Sequence, residues 1–210
     1  TQNQAFSAIL FLLREVLGVE VGEIKSIRAK RGPKLPVVLS VTEVKALLNG
    51  IEGSRRLMLE LIYGAGLRVT EFVRLRVQDV DFDNDLLFVR GGKGDKDRTT
   101  LLPVKLIGLL EEHIRHVRQL HEHDLEAGHG EVYLPGALAR KYPGAAKKFG
   151  WQYVFPAGKV SVDPRSGKVR RHHVSQQVVQ RSMKDAVRAA GIEKHATVHT
   201  LRHSFATHLL

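Results

Sequence analysis

The 210-residue chain carries 33 Lys and Arg against 22 Asp and Glu, a formal charge of +11 with its 11 His neutral. No stretch approaches the ~18 uninterrupted apolar residues of a membrane helix, and the absence of cysteine excludes disulfides, thiolate metal sites and cysteine nucleophiles. The length suits one full domain plus a smaller piece. No secretory leader opens the chain, which begins at Thr1 and stops mid-pattern at Leu209-Leu210, so it reads as a fragment.

In chain order, Phe6, Ile9, Leu10, Leu13 and Leu17 make a helical stripe over 4–17, assigned to a small N-terminal domain at 1–24. Residues 25–39 read as a basic linker punctuated by Gly32-Pro33 and Pro36, and a second domain occupies 40–210. Ser40 with Glu43 three residues on is a capping box that opens a helix over 41–49, closed at Gly50. Residues 57–63 read as a buried helix broken at Gly64 and Gly66, with helical spacing resuming over Leu67–Val77. Two strands, 86–90 and 99–104, flank the turn residues Gly91-Gly92-Lys93-Gly94-Asp95, predicting a β-hairpin. An amphipathic helix follows over 105–122. The stretch about 127–173, punctuated by Gly, Pro and Tyr, is long for a structureless loop, and loops of that length are usually functional or disordered. Ser175 caps a helix to Ala190 that ends at Gly191, and a last helix begins near Thr200. The fold class is mainly α with a small β-hairpin or sheet (α+β).

The charge is concentrated. Lys25, Arg28, Lys30, Arg31 and Lys34 put +5 on residues 25–34, and nine bases against the single acid Asp163 put +8 on residues 136–173. Together these exceed the net charge of the whole chain, so the rest is slightly acidic. Charge serving only solubility would be spread, whereas two basic segments on a near-neutral body are the footprint of a polyanion partner. Neither segment has an apolar face at helical spacing, which argues against a membrane surface.

Four residues suit chemistry on a phosphate. Arg68 follows the double-glycine break among apolar neighbours, so its guanidinium either pairs internally or faces a cleft. Lys93 sits at the hairpin tip between two glycines, where small neighbours permit close approach to another surface. It is not part of a P-loop, whose spacing is absent. His199 and Arg202, three apart, share a helix face. A proton-trading His and an Arg gripping two oxygens suit phosphoryl transfer, where pre-placed donors must meet spread charge. No metal is expected: neither His113, His116, His121 and His123 nor His199, His203 and His208 come with a suitably spaced carboxylate. Asp81, Asp83 and Asp85 lack the Gly and Glu of a calcium loop.

The segments Gly66-Leu67-Arg68-Val69-Thr70-Glu71, Gly92-Lys93-Gly94-Asp95-Lys96-Asp97-Arg98 and His199-Thr200-Leu201-Arg202-His203-Ser204-Phe205-Ala206-Thr207-His208-Leu209-Leu210 resemble the catalytic-domain boxes of the tyrosine recombinases (phage-integrase superfamily). The resemblance covers about 36–210, and the helix at 4–17 is similar to the last helix of that family's N-terminal core-binding domain. It implies that Arg68 and Arg202 hold the scissile phosphate, that Lys93 protonates the leaving 5′-hydroxyl, and that His199 supports proton transfer. The family's nucleophile is a Tyr that forms a 3′-phosphotyrosyl intermediate, so neither metal nor other cofactor is implied. Tyr63, Tyr133, Tyr142 and Tyr153 all precede the last box and none matches that Tyr; the second His that precedes it is likewise unmatched. These residues alone are therefore expected not to cleave DNA.

The segment from Leu134-Pro135 through Trp151 and Phe155-Pro156 to Arg170-Arg171-His172-His173 resembles the extra segment of integron integrases, and it is the segment carrying +8. That likeness implies integration and excision of gene cassettes at sites folded from single strands as well as at double-stranded sites, by a tetramer in the synaptic complex. It also implies a bacterial cytoplasmic protein, nucleoid-associated when bound to DNA. Bases bulged from a hairpin stem want aromatic or imidazole faces, with cations tracking the backbone. The expected DNA contacts are Lys25, Arg28, Lys30, Arg31, Lys34, Arg140, Lys141, Lys147, Lys148, Trp151, Pro164, Arg170, Arg171, His172 and His173. The rival readings are a chromosome-dimer or phage recombinase acting on double-stranded sites, a type IB topoisomerase, and a non-catalytic DNA-binding derivative.

Overall fold

The computed structural model describes residues 2–22, 35–92, 94 and 96–209. Lys25, Arg28, Lys30, Arg31, Lys34 and Lys93 lie outside the described residues. The chain divides into two compact units, Thr1–Leu35 and Pro36–Leu210. In the first, α1 (Gln2–Phe11) runs into a π-helical turn, Leu12–Val16, closed by Leu17 N–H donating to Leu12 O at 3.0 Å. No residue of α1 is buried.

The second unit opens on the predicted capping box. Ser40 N–H donates to Glu43 Oε2 at 2.7 Å, Glu43 N–H donates to Ser40 Oγ at 3.2 Å, and α2 spans Val41–Asn49. Helix α3 (Gly53–Gly64) starts ahead of the apolar run at 57–63 because its first turns are charged, with Arg55 and Arg56 paired to Asp185 and Glu60. A helix resumed over Leu67–Val77 does not form, and α4 covers only Val69–Val73. Beyond it the backbone extends to pair with a distant segment: Val154 N–H donates to Leu75 O at 2.9 Å and Val77 N–H to Gln152 O at 3.0 Å. Tertiary pairing overrides the local spacing here.

Strands β1 (Val80–Asp81), β2 (Leu86–Val89) and β3 (Arg98–Leu101) form an antiparallel sheet in that order, with Leu87 opposite Thr100 and Val89 opposite Arg98. β3 ends ahead of Pro103, which has no N–H to give to a ladder. After α5 (Ile107–Glu126), the stretch 127–173 holds structure of its own: α6 (Gly136–Lys141), two short 3-10 turns and the hairpin β4 (Ser161–Val162) and β5 (Val169–Arg170). It encloses a small second core of Val132, Leu134, Ala145 and Tyr153, with Ala146 and Trp151 packed against it.

This segment is docked on α5 by two histidines. The His121 ring bonds to Lys147 O at 3.0 Å; the His113 ring bonds to Val154 O at 2.8 Å and stacks on Phe155 at 4.6 Å. Helix α7 (Gln176–Ala189) follows its Ser175 cap, and α8 (Val198–His208) starts earlier than Thr200 because Thr197 caps it and Thr200 is the third residue of its capping box. Leu57, Met58, Leu59, Leu61 and Ile62 are buried, so α3 is the central helix, packed on α2, α5, α7 and α8. Ser204 Oγ, buried in α8, accepts from Leu39 N–H at 2.9 Å and ties the entry of this unit to its last helix.

Candidate active site and nucleic-acid interface

Two glycines bring the end of α3 against its neighbours. A Cβ on Gly64 would lie 2.5 Å from Pro103 Cγ. Gly66 has φ +58, and a Cβ there would lie 2.4 Å from the Phe205 ring of α8. Arg68 then caps α4, and Glu71, three residues on, folds back to it: Arg68 N–H donates to Oε2 at 2.8 Å and Nη1 to Oε1 at 2.6 Å. Arg98, first residue of β3, donates from Nη2 to Glu71 Oε2 at 2.9 Å. Arg202 of α8 donates from Nη1 to Gly66 O and stands 3.5 Å from the same Glu71 oxygen. Three guanidinium groups from three chain segments thus meet on one carboxylate whose side chain is 3% exposed.

Three positive charges on one negative leave a local surplus. Burial alone would raise the Glu71 carboxyl, but hydrogen bonds from the Arg68 backbone and side chain, and then from Arg98, hold it below its ordinary value. Burial, followed by the neighbouring Arg68 charge, lowers the Arg202 guanidinium from its usual value, and an arginine so shifted is still charged. Arg68 and Arg202 are 31% and 30% exposed. Their Nε and Nη2 groups have no hydrogen-bond partner among the described residues and are not sealed from water. They are donors held in place and unspent, the arrangement an anionic phosphodiester requires.

His199 is exposed in the first turn of α8, one turn before Arg202. The connection between β2 and β3 also reaches the cluster: a Cβ on Gly92 would stand 3.5 Å from Glu71 Oε1. Gly92 N–H donates to Lys96 O at 3.0 Å and Gly91 N–H to Asp97 Oδ1 at 2.8 Å, closing that turn. Arg68, Arg202 and the residue preceding Lys93 are therefore brought together from far-apart boxes. Glu71 and Arg98 were not singled out from the sequence. Glu71 carried a local signal, as the acidic third residue after a helix cap; Arg98 carried none.

Residues 38–210 match the phage integrase family. The chain belongs to the phage integrase family. It is 46% identical over 211 residues to proteins named integrase/recombinase from Escherichia coli and Pseudomonas aeruginosa, matching all of this chain and 63% of each relative. It is 33% identical over 192 residues to tyrosine recombinase XerA of Pyrococcus furiosus, covering 90% of this chain and 53% of that protein. The chain thus spans less than two thirds of the length of these curated relatives. Among solved structures, XerA recombinase aligns over all of this chain and 62% of its own at 25% identity and TM-score 0.54. The fold is also that of XerH recombinase bound to difH substrate, at 23% identity and TM-score 0.56 over 97% of this chain and 52% of that one.

A cleft of about 620 Å³ adjoins the arginine cluster of this integrase domain, with Glu71, Trp151, Pro164, His172 and His173 on its walls. The structure thus gathers four residues proposed from sequence as base contacts. Trp151 is half-buried, lining the cleft and resting on the second core. His173 bonds through Nδ1 to Val174 O at 2.7 Å and meets the Tyr153 ring edge-on at 5.1 Å. Arg140, Lys141, Lys147 and Lys148 are exposed.

Arg170 and Arg171 point inward. Arg170 Nη1 donates to Asp163 Oδ2 at 2.8 Å, with its side chain 11% exposed. Arg171 grips the Asp124 carboxylate through Nε at 2.5 Å and Nη2 at 2.7 Å, and donates from Nη1 to Ala157 O at 2.8 Å. The Asp163 carboxyl is held below its ordinary value, first by the Arg165 backbone N–H. Sequence reasoning missed Arg74, which is exposed on the cleft wall with no side-chain partner among the described residues. Arg165, counted in the basic segment but not among the expected contacts, stacks over the Tyr133 ring at 5.0 Å.

Proposed function

We propose that the chain is the catalytic region of a site-specific recombinase of the integron-integrase kind, which integrates and excises gene cassettes by cutting and rejoining DNA. The observation that carries this reading is the cluster of Arg68, Arg98 and Arg202 on Glu71, with open Arg68 and Arg202 donors beside the hairpin that bears Lys93. In this reading those donors hold the non-bridging oxygens of the scissile phosphate and meet the charge that builds as the phosphorus is attacked. A Tyr hydroxyl gives its proton to a base of the site and attacks phosphorus to form a 3′-phosphotyrosyl bond, the bond to the 5′-oxygen breaks, and Lys93 gives that oxygen its proton. His199 supports the proton transfer. The new bond retains the energy of the old one, so rejoining is the same exchange in reverse and calls for no cofactor.

Each tyrosine of this chain has another ring or charged partner. Tyr63 bonds to His208 Nδ1 at 2.8 Å, Tyr153 lies under Arg76, Tyr133 under Arg165 and Tyr142 under Lys141. All four precede the last box and none matches the family's Tyr, so the reading assigns the nucleophile to sequence outside these residues and expects this chain alone to bind without cleaving. Residues 1–24 are assigned to a core-binding domain, 25–39 to a linker and 40–210 to the catalytic domain, which acts in a tetramer on two DNA sites. The bacterial cytoplasmic location belongs to the same reading. Support for the cassette-site specificity comes from the cleft: an indole, two imidazoles and Pro164 beside Arg74, whose side chain has no partner among the described residues, suit a base swung out of a stem.

The test is binding of this chain to a DNA hairpin with extrahelical bases and to the same stem fully paired, across a salt titration. Both weaken with salt, because phosphate contacts dominate either way. A preference for the bulged hairpin that disappears in Trp151→Ala or His172→Ala supports the integron reading. Equal binding, indifferent to those substitutions, refutes it and leaves a recombinase domain for double-stranded sites.

A further inference from the structure

Between α4 and β1 lies a guanidinium that neither the phosphate cluster nor the exposed basic residues account for. Arg76 donates from Nη1 to Trp151 O at 2.5 Å, and from Nη2 to Tyr133 O at 3.0 Å and to the Tyr153 hydroxyl at 3.3 Å. Its guanidinium carbon sits 4.2 Å above the Tyr153 ring. Its own backbone is fixed on both sides, bridging to Tyr153 and donating N–H to Asp79 Oδ2 at 3.1 Å. Asp79 is itself buried and bonded by Arg90 Nε at 2.5 Å.

Tyr133 and Trp151 stand at opposite ends of the stretch that holds α6, eighteen residues apart in sequence, and both line the cleft. One planar, three-pronged donor takes the main-chain carbonyls of both. A guanidinium does this with two nitrogens held in one plane; an ammonium carries its three donors on one rotating nitrogen at the end of a flexible stem. Arg76 thus ties the backbones of these two wall residues to one group.

We infer that Arg76 is a positioning residue for base recognition: it holds Tyr133 and Trp151 at the separation that admits one unstacked nucleobase. This rests on the proposed reading of the cleft as the seat of a bulged base. Arg76 touches no DNA in this scheme and acts only through the two carbonyls and the Tyr153 ring. Arg76→Lys keeps the charge but replaces two nitrogens of fixed spacing by one, which does not hold the two carbonyls at a set separation, and Arg76→Met leaves both without a donor.

Trp151 is the only tryptophan of the chain, so its fluorescence reports this wall directly. The experiment compares the chain with Arg76→Lys, Arg76→Met and Tyr153→Phe, measuring affinity for bulged and paired hairpins and quenching of Trp151 emission on binding. The expected result is that bulged DNA quenches the parent chain, and that its preference over paired DNA falls by about tenfold in both Arg76 variants, the scale of one lost base–aromatic stack. The salt dependence stays the same and Tyr153→Phe, which loses one acceptor, falls part of the way. A parent chain without preference for the bulged hairpin overturns the reading of the cleft and this inference with it. A parent chain with that preference, and Arg76 variants that keep it, overturn the role of Arg76 alone. Variants that lose both DNAs in proportion, or fail to fold, make Arg76 a residue of stability and also overturn it.

Discussion

Replacing Glu71 by Gln tests the arginine cluster most directly. The substitution keeps shape and one acceptor but removes the charge and turns an amide NH2 toward guanidinium donors. The carboxylate takes hydrogen bonds from Arg68 N–H, Arg68 Nη1 and Arg98 Nη2, with Arg202 Nη1 at 3.5 Å. Removing one partner of a buried charge pair costs ~3–5 kcal/mol. The three guanidinium groups are about a third exposed, so water carries part of that loss. The expected destabilisation is then ~2–3 kcal/mol, a fall in Tm of roughly 5–10 °C for a domain of this size.

The sign with pH follows from the lowered Glu71 value. A carboxyl whose folded pKa lies below its unfolded one stabilises fully above the unfolded value of ~4.3 and loses that contribution as pH falls through the folded value. The gap between parent and Glu71→Gln should be full at pH 7 and close toward acid. Calorimetric or fluorescence melts from pH 3 to 8, with and without added inorganic phosphate, measure it. Phosphate should recover more stability in the variant, where three positive charges lack an internal partner. Equal Tm at pH 7, or a gap that does not narrow toward acid, refutes the account of the cluster.

Other substitutions separate the roles of neighbouring residues. Gly66→Ala should cost ~2–4 kcal/mol in urea unfolding, since it forces a side chain into positive φ and against the Phe205 ring; a loss under 1 kcal/mol contradicts the packing. Tyr63→Phe should cost ~1 kcal/mol by removing the hydroxyl bonded to His208 at 2.8 Å, read from chemical denaturation at neutral pH. Arg171→Gln should destabilise by ~3 kcal/mol, because Asp124 is left buried without its partner, yet leave the salt slope of DNA binding unchanged. Lys147→Ala or Lys148→Ala should do the reverse, lowering the slope by about one without moving Tm.

Local chemistry was enough to read several parts of this integrase domain. The Ser40–Glu43 box, the Ser175 cap and the Gly-rich hairpin each act within a few residues, and each is where the sequence puts it. The boxes around Arg68 and Arg202 were equally legible, because a double-glycine break and an i, i+3 spacing are written in adjacent letters. The family match over 38–210 spans both boxes.

Other features depend on partners far along the chain. Helical spacing after Arg68 gave way once Leu75 and Val77 found backbone partners in 152–154. The stretch at 127–173 is ordered because His113, His121 and Arg76 supply hydrogen bonds from outside it, and no window of its own sequence contains those donors. Arg170 and Arg171 look like Arg140 and Lys141 in a count of charge. Only the buried carboxylates of Asp163 and Asp124 turn the first two inward while the others stay in water. Charge and capping are properties of a segment, and the sequence by itself determined them. Which positive charges remain free to meet a partner depends on where distant carboxylates come to rest, and the tertiary structure decided that.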